Sequence, residues 1–496
     1  MASDDHNNSF IGACGDSFAW QNSILAGEEH NTSHQLEVLE PATGELLAKV
    51  GAVKGNDVSK YCEIAANAQP EWAAMQPEQR ASCLQRAAIE LQNNREDLES
   101  WIIRETGSNA PKAAYEVDHS IGELNHATAL CMHSLGQTFH HMDPSRLSMA
   151  NRVPLGVVGV ITPWNVPLAL AMRSIAPALA AGNAVVLKPD PHTPVSGGIA
   201  IARLFELAGV PSGLVTVIPG EADAGEALVA DPNVKMITFT GSTRVGRRVG
   251  ELAGQNLKKV ALELGGNSPM LVLEDADISG AASCGAFGSF NHQGQVCMAT
   301  SRHIVHKDVA EEYTAIMVEK ANALPVENPA NNPFALGPLI NERQRDRVHD
   351  IVTSSVKAGA RLLAGGEFDN LFYRPTVLGD VMPGTAAFDE EIFGPVAPIT
   401  IVESEDEAIK LANSSAYGLS AAIQTSCMAR GLEIANKLKA GMVHVNDQTI
   451  NDFPHVPMGG MGQSGNGSRF GSVNNLEEFT QWKWMTAAGT AAQYPF

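Results

Sequence analysis

The sequence predicts an α/β protein whose mostly parallel sheets carry helices on both faces. Short runs rich in β-branched residues alternate along the chain with segments whose apolar residues recur at helical spacing. Each of these runs ends in a turn that contains proline, glycine or serine. No internal repeat and no low-complexity block interrupts the alternation. Apolar strands that alternate with helices are typical of a parallel sheet covered on both faces.

Four apolar runs predict the strands of a first sheet. The turns that follow them read Thr-Pro, Lys-Pro, Pro-Gly and Thr-Gly-Ser, after residues 157–161, 184–187, 214–218 and 236–239. Intervening helices are predicted at 168–181, 194–208, 225–230 and 245–254. Because ligands of parallel sheets bind beyond the carboxyl ends of the strands, we expect a binding site at these turns.

The remaining segments predict a second domain and two extensions. The first thirty-odd residues are polar and predict a flexible extension, and helical patterns occupy 57–105 and 112–135. A second strand–helix series begins near Lys259 and continues to about Val445. A Gly-rich loop at 458–462 and a C-terminal tail complete the chain. Two α/β domains with extensions are therefore predicted.

Length and charge exclude several classes of function. The 496 residues correspond to roughly three domains of about 150 residues each. The chain has 34 Lys and Arg against 55 Asp and Glu, a formal net charge of −21. Nucleic acids and anionic membranes attract basic surfaces, so neither is expected as a partner. The longest apolar tract, residues 153–187, is broken by four prolines, Asn165 and Arg173, and predicts no membrane span. A large acidic soluble protein remains, a class in which enzymes predominate.

The seven cysteines indicate a reducing compartment. Their number is odd and no C-x-x-C pair occurs, which argues against a disulfide framework and a zinc site, and no metal is expected. The N-terminal sequence MASDDHNNSF lacks the basic start and apolar core of a secretory signal, so a cytoplasmic protein is expected. All cysteines except Cys297 are interpreted as small buried hydrophobic side chains: Cys14, Cys62, Cys83, Cys131, Cys284 and Cys427.

Three residues are candidates for catalysis, and each has a purely structural alternative. Cys297, in the segment FNHQGQVCM, is either a nucleophile or a buried core residue. Glu263 lies between two leucines at a strand end and is either a surface residue or a buried carboxylate whose raised pKa suits a general base. Asn165 follows Pro-Trp at another strand end and either donates to an oxyanion or completes a turn.

Residues 239–242, which read FTGS, form a candidate diphosphate site. They end a predicted strand and begin a predicted helix, where free backbone N–H groups attract anions. Gly241 and Gly246 have the spacing of a P-loop, but Arg247 and Arg248 stand where that motif needs Lys and Ser or Thr. No G-x-G-x-x-G motif follows a strand. An ordinary turn with a serine N-cap explains the same residues equally well.

His119, His126 and His133 lie on one stripe of a predicted helix. They are seven residues apart, which separates neighbours by about 10 Å, too far to share one metal ion. The stripe is therefore interpreted as a packing or interface face.

Six motifs together resemble the signatures of the aldehyde dehydrogenase superfamily. They occur in that family's order: PWN at 163–165, KP at 188–189, FTGS at 239–242, LELGG at 262–266, GQVC at 294–297 and EIFGP at 391–395. The resemblance extends from about Gln35 to the C-terminus. Long stretches such as HQGQVCMA at 292–299, GMVHVNDQTIN at 441–451 and PHVPMGGMGQSG at 454–465 make the chain most similar, within the superfamily, to benzaldehyde dehydrogenases of aromatic-compound degradation.

The resemblance implies an architecture and an assembly. It implies a Rossmann-type parallel-sheet cofactor domain, an α/β catalytic domain and a small oligomerisation extension, so that a homodimer or homotetramer is expected. The implied boundaries are a flexible extension at 1–34, an NAD(P)-binding domain at 35–138 and 152–258, a catalytic domain at 259–465, and oligomerisation segments at 139–151 and 466–496.

The resemblance also implies the reaction, which is the oxidation of an aromatic aldehyde to its carboxylic acid. Cys297 would attack the aldehyde, and Asn165 with the Cys297 N–H would hold the oxyanion of the thiohemiacetal. Hydride transfer to the nicotinamide would leave a thioester, which water activated by Glu263 would hydrolyse. Substituted benzaldehydes and aliphatic aldehydes are alternative substrates. An acyl-transferring relative or an inactive homologue is an alternative function, against which Glu263 and the intact set of three residues argue.

The implied cofactor is NAD, with NADP possible. In the family a glutamate three residues after the lysine often holds the adenosine ribose, and here that residue is Pro191, which weakens the case for strict NAD selectivity. The implied cofactor-binding residues are Ile161, Thr162, Trp164, Lys188, Gly220, Gly225, Gly241, Ser242, Leu264, Glu391 and Phe393. The implied substrate tunnel is mostly apolar and is lined by Val166, Leu170, Arg173, Val296, Met298, Phe453 and Met458. Arg173 has two interpretations, as a partner of a structural carboxylate or as a contact for a ring hydroxyl or carboxylate of the substrate.

Overall fold

The structure is a computed structural model that describes Ile11 and residues 20–496. Cys14 lies outside the described residues. The strands of the described part are β1 (Ser23–Leu25), β2 (Glu29–Asn31), β3 (Gln35–Leu39), β4 (Leu46–Gly51), β5 (Gly136–Thr138), β6 (Leu147–Pro154), β7 (Val157–Ile161), β8 (Ala184–Lys188), β9 (Val215–Val217), β10 (Val234–Thr240), β11 (Lys259–Glu263), β12 (Ser268–Val272), β13 (Thr300–His306), β14 (Arg361–Ala364), β15 (Phe368–Asp369), β16 (Phe372–Tyr373), β17 (Thr376–Gly379), β18 (Val396–Val402), β19 (Tyr417–Gly418), β20 (Ser420–Gln424), β21 (Met442–Val445), β22 (Met461–Gly462) and β23 (Thr480–Ala487).

The α-helices of the same residues surround the sheets. They are α1 (Val58–Ala74), α2 (Pro77–Asn93), α3 (Arg95–Thr106), α4 (Ala110–Leu130), α5 (Pro167–Ala180), α6 (Ala200–Leu207), α7 (Ala222–Ala230), α8 (Thr243–Gln255), α9 (Ile278–Phe290), α10 (Lys307–Ala323), α11 (Glu342–Lys357), α12 (Ala386–Asp389), α13 (Glu405–Ala412), α14 (Met428–Ala435) and α15 (Asn474–Phe479). A π-helical turn at Val195–Ile199 precedes α6, and a 3₁₀ turn at Asn291–Gly294 follows α9.

The first sheet has the strand order β11-β10-β7-β8-β9-β1-β2. Its five strands from β7 to β11 are parallel, whereas β1 and β2 add an antiparallel edge. All residues of β7 and β8 are buried, as expected of strands with helices on both faces. The chain runs outward from β7 through β8 to β9 and then returns to β10, so the crevice that binds ligands in such sheets opens between β7 and β10.

The second sheet has the strand order β14-β17-β18-β13-β12-β20-β21, and every neighbouring pair except β14 with β17 is parallel. The predicted α/β class is therefore confirmed, with two mostly parallel sheets of seven strands each. The predicted ends of the four strands in the first sheet lie within three residues of the observed ends.

The observed elements differ from the predicted ones in three places. The helical pattern over 57–105 is divided into α1, α2 and α3, because Pro77 starts α2 at its first turn and Asn94 separates α2 from α3. The helix predicted over 112–135 ends at Leu130. Residues 23–31, placed by the sequence in a flexible extension, form β1 and β2, and β1 is fully buried against β9.

The segments assigned to oligomerisation meet in a separate sheet of strand order β23-β6-β5. β23 pairs with β6 along its whole length, from Thr480 opposite Pro154 to Ala487 opposite Leu147. Trp482 and Trp484 on β23 are 45% and 67% exposed. Within residues 20–496, no helix is both long enough and apolar enough to cross a membrane, and no group of three His, Cys, Asp or Glu side chains is placed to hold a metal ion.

Candidate active site

The candidate cofactor residues gather at the carboxyl edge of the first sheet. Each lies at the end of one of the five parallel strands or within three residues of it: Ile161, Thr162, Lys188, Gly220, Gly241, Ser242 and Leu264. Gly225 lies in α7, and a β-carbon placed on it would be 3.6 Å from Lys188 Cδ. The fold therefore brings these seven residues and Gly225 to one edge, as the alternation of strands and helices predicted.

Cys297 lies in a tight loop between α9 and β13. Three consecutive residues at its start have left-handed backbone, with φ of 50° at His292, 55° at Gln293 and 65° at Gly294. Gly266, just beyond β11, passes so close that a β-carbon there would be 2.2 Å from the carbonyl oxygen of Cys297. The loop of the cysteine and the end of β11, which carries Glu263, are thus held against each other by backbone contact.

His292 has a side chain that suits its backbone. Both His and Asn are enriched in the left-handed region of backbone conformation, whereas β-branched residues avoid it. The imidazole is 1% exposed, and neither ring nitrogen has a hydrogen-bond partner among the described residues. Burial lowers the pKa of His292 well below its ordinary value, so the ring is neutral.

We expect the His292→Asn variant to be nearly as stable as the natural protein and His292→Val to be less stable by about 1–3 kcal/mol, since valine would be strained at φ of 50°. Thermal unfolding of the two variants measures the difference. Equal midpoints for both variants would contradict the role assigned to the left-handed backbone.

Asn165 is held in place by a hydrogen bond of its side chain and by the anchored helix that follows it. Its Nδ2 donates to the carbonyl oxygen of Gln295 at 2.9 Å, which ties it to the loop of Cys297. Directly after it, α5 begins with Pro167, and the next two amides, of Leu168 and Ala169, donate to Glu116 Oε1 at 2.6 and 3.3 Å. The buried amide of Asn165, 3% exposed, therefore has a fixed position against the loop that carries Cys297.

The buried Glu116 was not identified from the sequence. Its other carboxylate oxygen accepts from Lys112 Nζ at 2.6 Å, and both side chains are buried. A carboxylate at a helix N-terminus satisfies amides that lack partners within the helix. A lysine and a glutamate four residues apart in α4 are the local signal of this pair, but such pairs usually lie in solvent, so their spacing alone does not reveal burial.

Glu263 is a buried carboxylate without a partner. It is 3% exposed, and neither carboxylate oxygen has a hydrogen-bond partner among the described residues. Its backbone is fixed, because its carbonyl accepts from Gly241 N at 3.0 Å and it forms a bridge with Gly465. Burial raises the pKa of Glu263 to about 8, against the opposing positive charge of Arg173. A carboxylate with these properties is able to take a proton near neutral pH.

The surroundings of Cys297 disfavour the thiolate form of its side chain. Burial raises the pKa of Cys297 to about 12, and the charges of Glu391 and Glu263 act in the same direction, whereas Arg173 lowers it. Its side chain contacts the apolar cluster of Met298, Leu419 and Met458. The thiol therefore needs a proton acceptor or a positive charge before it can act as a nucleophile.

Glu391 and Phe393, in the segment after α12, contact residues that follow β11 and β7. Glu391 Oε1 accepts from Gly266 N at 2.9 Å, and burial raises the pKa of this carboxyl to about 7. Phe393 has φ of 57°, and its ring packs nearly perpendicular to that of Trp164 with a centroid distance of 5.5 Å. The two aromatic rings connect the end of β7 with the segment after α12.

Lys188 ends β8, and the residues that follow it complete this part of the candidate cofactor region. Lys188 Nζ donates to Pro189 O at 3.0 Å, and burial lowers the pKa of Lys188. Asp190 accepts from His192 Nδ1 at 2.7 Å, and this contact raises the pKa of His192 despite its burial. Pro191 therefore lies between two polar residues that are paired with each other.

Most of the candidate tunnel residues lie either around Cys297 or at the start of α5. Val296, Met298 and Met458 belong to the cluster that contains Cys297. Val166 is half-buried and Leu170 is buried at the start of α5, whereas Phe453 is 52% exposed. Arg173, on the next turn of α5, is buried and contacts Asp452 and Glu123. The structure therefore favours the first interpretation of Arg173, a partner of structural carboxylates.

Comparisons with known proteins identify the family. A model of the aldehyde dehydrogenase family matches residues 28–485. The chain belongs to the aldehyde dehydrogenase family. The membership predicted from the six motifs is confirmed.

Three relatives of this family member cover nearly its whole length. It is 50% identical over 459 residues to a benzaldehyde dehydrogenase (NAD+) of Pseudomonas putida, which covers 92% of this chain and 94% of that one. It is 50% identical over 479 residues to a vanillin dehydrogenase of an Amycolatopsis species, which covers 96% and 98% of the two chains. A salicylaldehyde dehydrogenase of Pseudomonas putida, solved with salicylaldehyde, matches with a TM-score of 0.92 and 31% identity over 96% of this chain and 99% of that one.

Proposed function

We propose that this protein oxidises aromatic aldehydes of the benzaldehyde and vanillin type to carboxylic acids, with NAD as the electron acceptor. The observation that carries the proposal is 50% identity over more than nine-tenths of the chain to relatives named for these two substrates. The apolar and sulfur-containing side chains around Cys297 support it, because they suit a flat ring.

The carboxyl edge of the first sheet fits a dinucleotide. Ser242 caps the thirteen-residue helix α8, whose first amides would face the diphosphate. Lys188 would reach the adenosine ribose and Glu391 the nicotinamide ribose. The buried Thr162 Oγ1, at the crevice of the sheet, has no hydrogen-bond partner among the described residues and is available to a ligand. When bound, NAD supplies a hydride acceptor.

Cys297 and Asn165 would carry out the first half of the reaction. Cys297 Sγ would first lose its proton to solvent water, which a positive charge at the site would favour, and the thiolate would then attack the aldehyde carbon, whose carbonyl oxygen becomes an oxyanion. Asn165 Nδ2 carries two N–H groups, one of which donates to Gln295 O; the other has no partner among the described residues and could hold the oxyanion together with the Cys297 N–H. Loss of hydride from the thiohemiacetal carbon leaves a thioester on Sγ.

Glu263 would carry out the second half. As a carboxylate without a partner, it takes a proton from water, and the resulting hydroxide attacks the thioester carbon. The acid is released and Sγ is regenerated. A relative that passes the acyl group to another nucleophile has no use for this base, so hydrolysis is favoured over acyl transfer.

The replacement of Asn165 by alanine is expected to lower kcat by about 10²–10³-fold, since one oxyanion donor is lost. Steady-state kinetics with benzaldehyde measures the effect, and alkylation of Cys297 by iodoacetamide serves as the control for an intact site. A kcat within threefold of the natural enzyme would remove Asn165 from the oxyanion hole.

NADP is proposed as a weaker second cofactor, because Pro191 supplies no carboxylate to hold the adenosine ribose.

We further propose a homodimer or homotetramer formed through the sheet of β5, β6 and β23, whose exposed Trp482 and Trp484 are available for contact. A cytoplasmic location is proposed from the free thiols of the six cysteines within the described residues.

Reduction of NAD and NADP by the purified protein tests the function. Benzaldehyde, vanillin and hexanal are compared at equal concentrations, with kcat/KM as the readout. The proposal expects the two aromatic aldehydes to exceed hexanal and NAD to exceed NADP. Absence of turnover with all three aldehydes would overturn it, and a clear preference for hexanal would overturn the aromatic assignment alone.

A further inference from the structure

The end of α3 and the start of α4, residues 105–116, contact both loops that supply the proposed oxyanion donors. We call these residues the 105–116 segment. The carbonyl oxygen of Gly107 accepts from Gln293 Nε2 at 3.1 Å. Gln293 is 2% exposed and belongs to the tight loop of Cys297, where it is the second of the three left-handed residues. The segment is therefore bonded to the loop that carries the Cys297 N–H.

The same segment holds the Asn165 side through the carboxylate of Glu116. This side chain is 0% exposed, and its Oε1 accepts from the amides of Leu168 and Ala169 in the first turn of α5. Its Oε2 accepts from Lys112 Nζ at 2.6 Å. Three N–H groups thus converge on one buried carboxylate. Because Asn165 lies only two residues before α5 begins, a shift of the first turn of this helix moves the Asn165 amide.

A second buried carboxylate of the 105–116 segment supports the same turn of α5. Glu105 is 0% exposed and accepts from the amides of Val195 and Ser196 at 2.9 and 2.7 Å. These two residues begin the π-helical turn that precedes α6. This turn packs so closely on α5 that a β-carbon on Gly197 would be 2.9 Å from Pro167 Cβ. The start of α5 is therefore supported on two of its neighbours by carboxylates of one segment.

An oxyanion hole requires that its two donors keep a fixed separation, because both must lie about 2.7–3.1 Å from the developing oxyanion. Here one donor follows β7 and the other follows α9, so the two loops are distant along the chain. The bond from Asn165 Nδ2 to Gln295 O joins the loops directly. The 105–116 segment joins them a second time, through Glu116 on one side and Gly107 on the other. Two separate links restrict both the distance between the loops and their orientation.

We propose that the 105–116 segment positions the two oxyanion donors relative to each other, with Glu116 as the positioning residue for Asn165 and Gly107 as the positioning residue for the Cys297 loop. This inference rests on the proposed function, in which Asn165 Nδ2 and the Cys297 N–H hold the oxyanion. An oxyanion forms when the thiolate attacks the aldehyde and again when water attacks the thioester, so a displaced donor slows both halves of the reaction. The affinity for NAD does not depend on these donors and is expected to stay unchanged.

Two double variants with the same change of charge test the Asn165 side. Lys112→Met with Glu116→Leu, the leucine variant, removes the ion pair and leaves the two amides of α5 without an acceptor. Lys112→Met with Glu116→Gln, the glutamine variant, removes the same charges and keeps a carbonyl oxygen for these amides. Neither variant leaves an unpaired buried charge, and replacement of a buried ion pair by uncharged side chains of similar size is often neutral for stability, so both are expected to fold. We expect kcat for benzaldehyde to fall by about 10–10²-fold in the leucine variant and to stay within about threefold of the natural enzyme in the glutamine variant.

The same variants in the Asn165→Ala background separate positioning from a general loss of structure. Once the Asn165 donor is gone, Glu116 has no donor left to position, so the leucine and glutamine variants are expected to have equal kcat in that background. Gln293→Met breaks the bond to Gly107 and acts on the other donor, so it is expected to lower kcat by about tenfold in both backgrounds. Quenching of tryptophan fluorescence measures the Kd of NAD, which is expected to be the same in every variant.

Several results would overturn the proposal. One is equal kcat for the leucine and glutamine variants when Asn165 is present, and another is a difference of the same size in both backgrounds. A Kd of NAD that rises in parallel with the loss of kcat would reveal a general loss of structure and would count against it as well. Unchanged kcat in Gln293→Met would remove the role of Gly107. Failure of the natural enzyme to oxidise any aldehyde would instead overturn the proposed function.

Discussion

Replacement of Cys297 by alanine is expected to lower kcat/KM for benzaldehyde by at least about 10⁴-fold, because the proposed reaction proceeds through a covalent bond to Sγ. The substitution removes one sulfur atom from a position beside Met298 and Met458, so the fold is expected to survive. Hydride transfer requires the tetrahedral thiohemiacetal, and an aldehyde that is merely bound does not provide it. NADH formation followed by absorbance measures the loss.

Two other cysteines supply matched controls for this prediction. Cys427 is exposed and Cys284 is half-buried in α9, and neither contacts the candidate site. Alanine at either position is expected to keep activity within about twofold of the natural enzyme, since such substitutions alter no group of the reaction. Turnover by Cys297→Ala above one-hundredth of the natural rate would identify a different nucleophile.

Replacement of Glu263 by glutamine is expected to slow hydrolysis of the thioester by roughly 10²–10⁴-fold, because the amide cannot accept the proton of water. The first turnover does not need this base, so one equivalent of NADH is expected in a rapid burst. Stopped-flow absorbance separates the burst from the slow steady state. A variant that loses the burst together with the steady state would show that Glu263 acts before acylation.

The pH dependence of kcat is expected to follow the protonation of the Glu263 carboxyl. Burial raises the pKa of Glu263 to about 8, so the carboxylate form that accepts a proton increases as the pH rises through that value. We therefore expect kcat of the natural enzyme to rise with pH up to about 8 and then to level off, and we expect this limb to be absent in Glu263→Gln. A flat profile for the natural enzyme would contradict the assignment of Glu263 as the base.

Local patterns in the sequence sufficed to place Cys297, Glu263 and Asn165 beside strands and turns. Apolar β-branched runs end where the chain leaves a buried strand, so the residues that follow gather at one edge of the sheet. The roles of these residues, however, came from the combined motifs of the family. Taken alone, each of these residues also had a purely structural interpretation.

The partners of Arg173 could not be predicted from the sequence, because they are distant along the chain. Asp452 is 279 residues away, and no local pattern indicates which carboxylate meets which guanidinium. The histidine stripe had the same difficulty: His119 Nε2 lies 3.2 Å from Arg173 Nη2, a contact that the spacing of His119 to His126 and His133 does not reveal. Strands β1 and β2 have only three residues each, too few for a recognisable alternation.

The measurement that tests the covalent mechanism most directly is mass spectrometry of the Glu263→Gln variant after mixing with benzaldehyde and NAD. Deacylation is slowed in this variant, so the acyl-enzyme is expected to accumulate. We predict that the protein gains the mass of one benzoyl group and that peptide mapping places it on Cys297. A benzoyl group on another residue, or NADH formation without any adduct, would contradict the proposed mechanism.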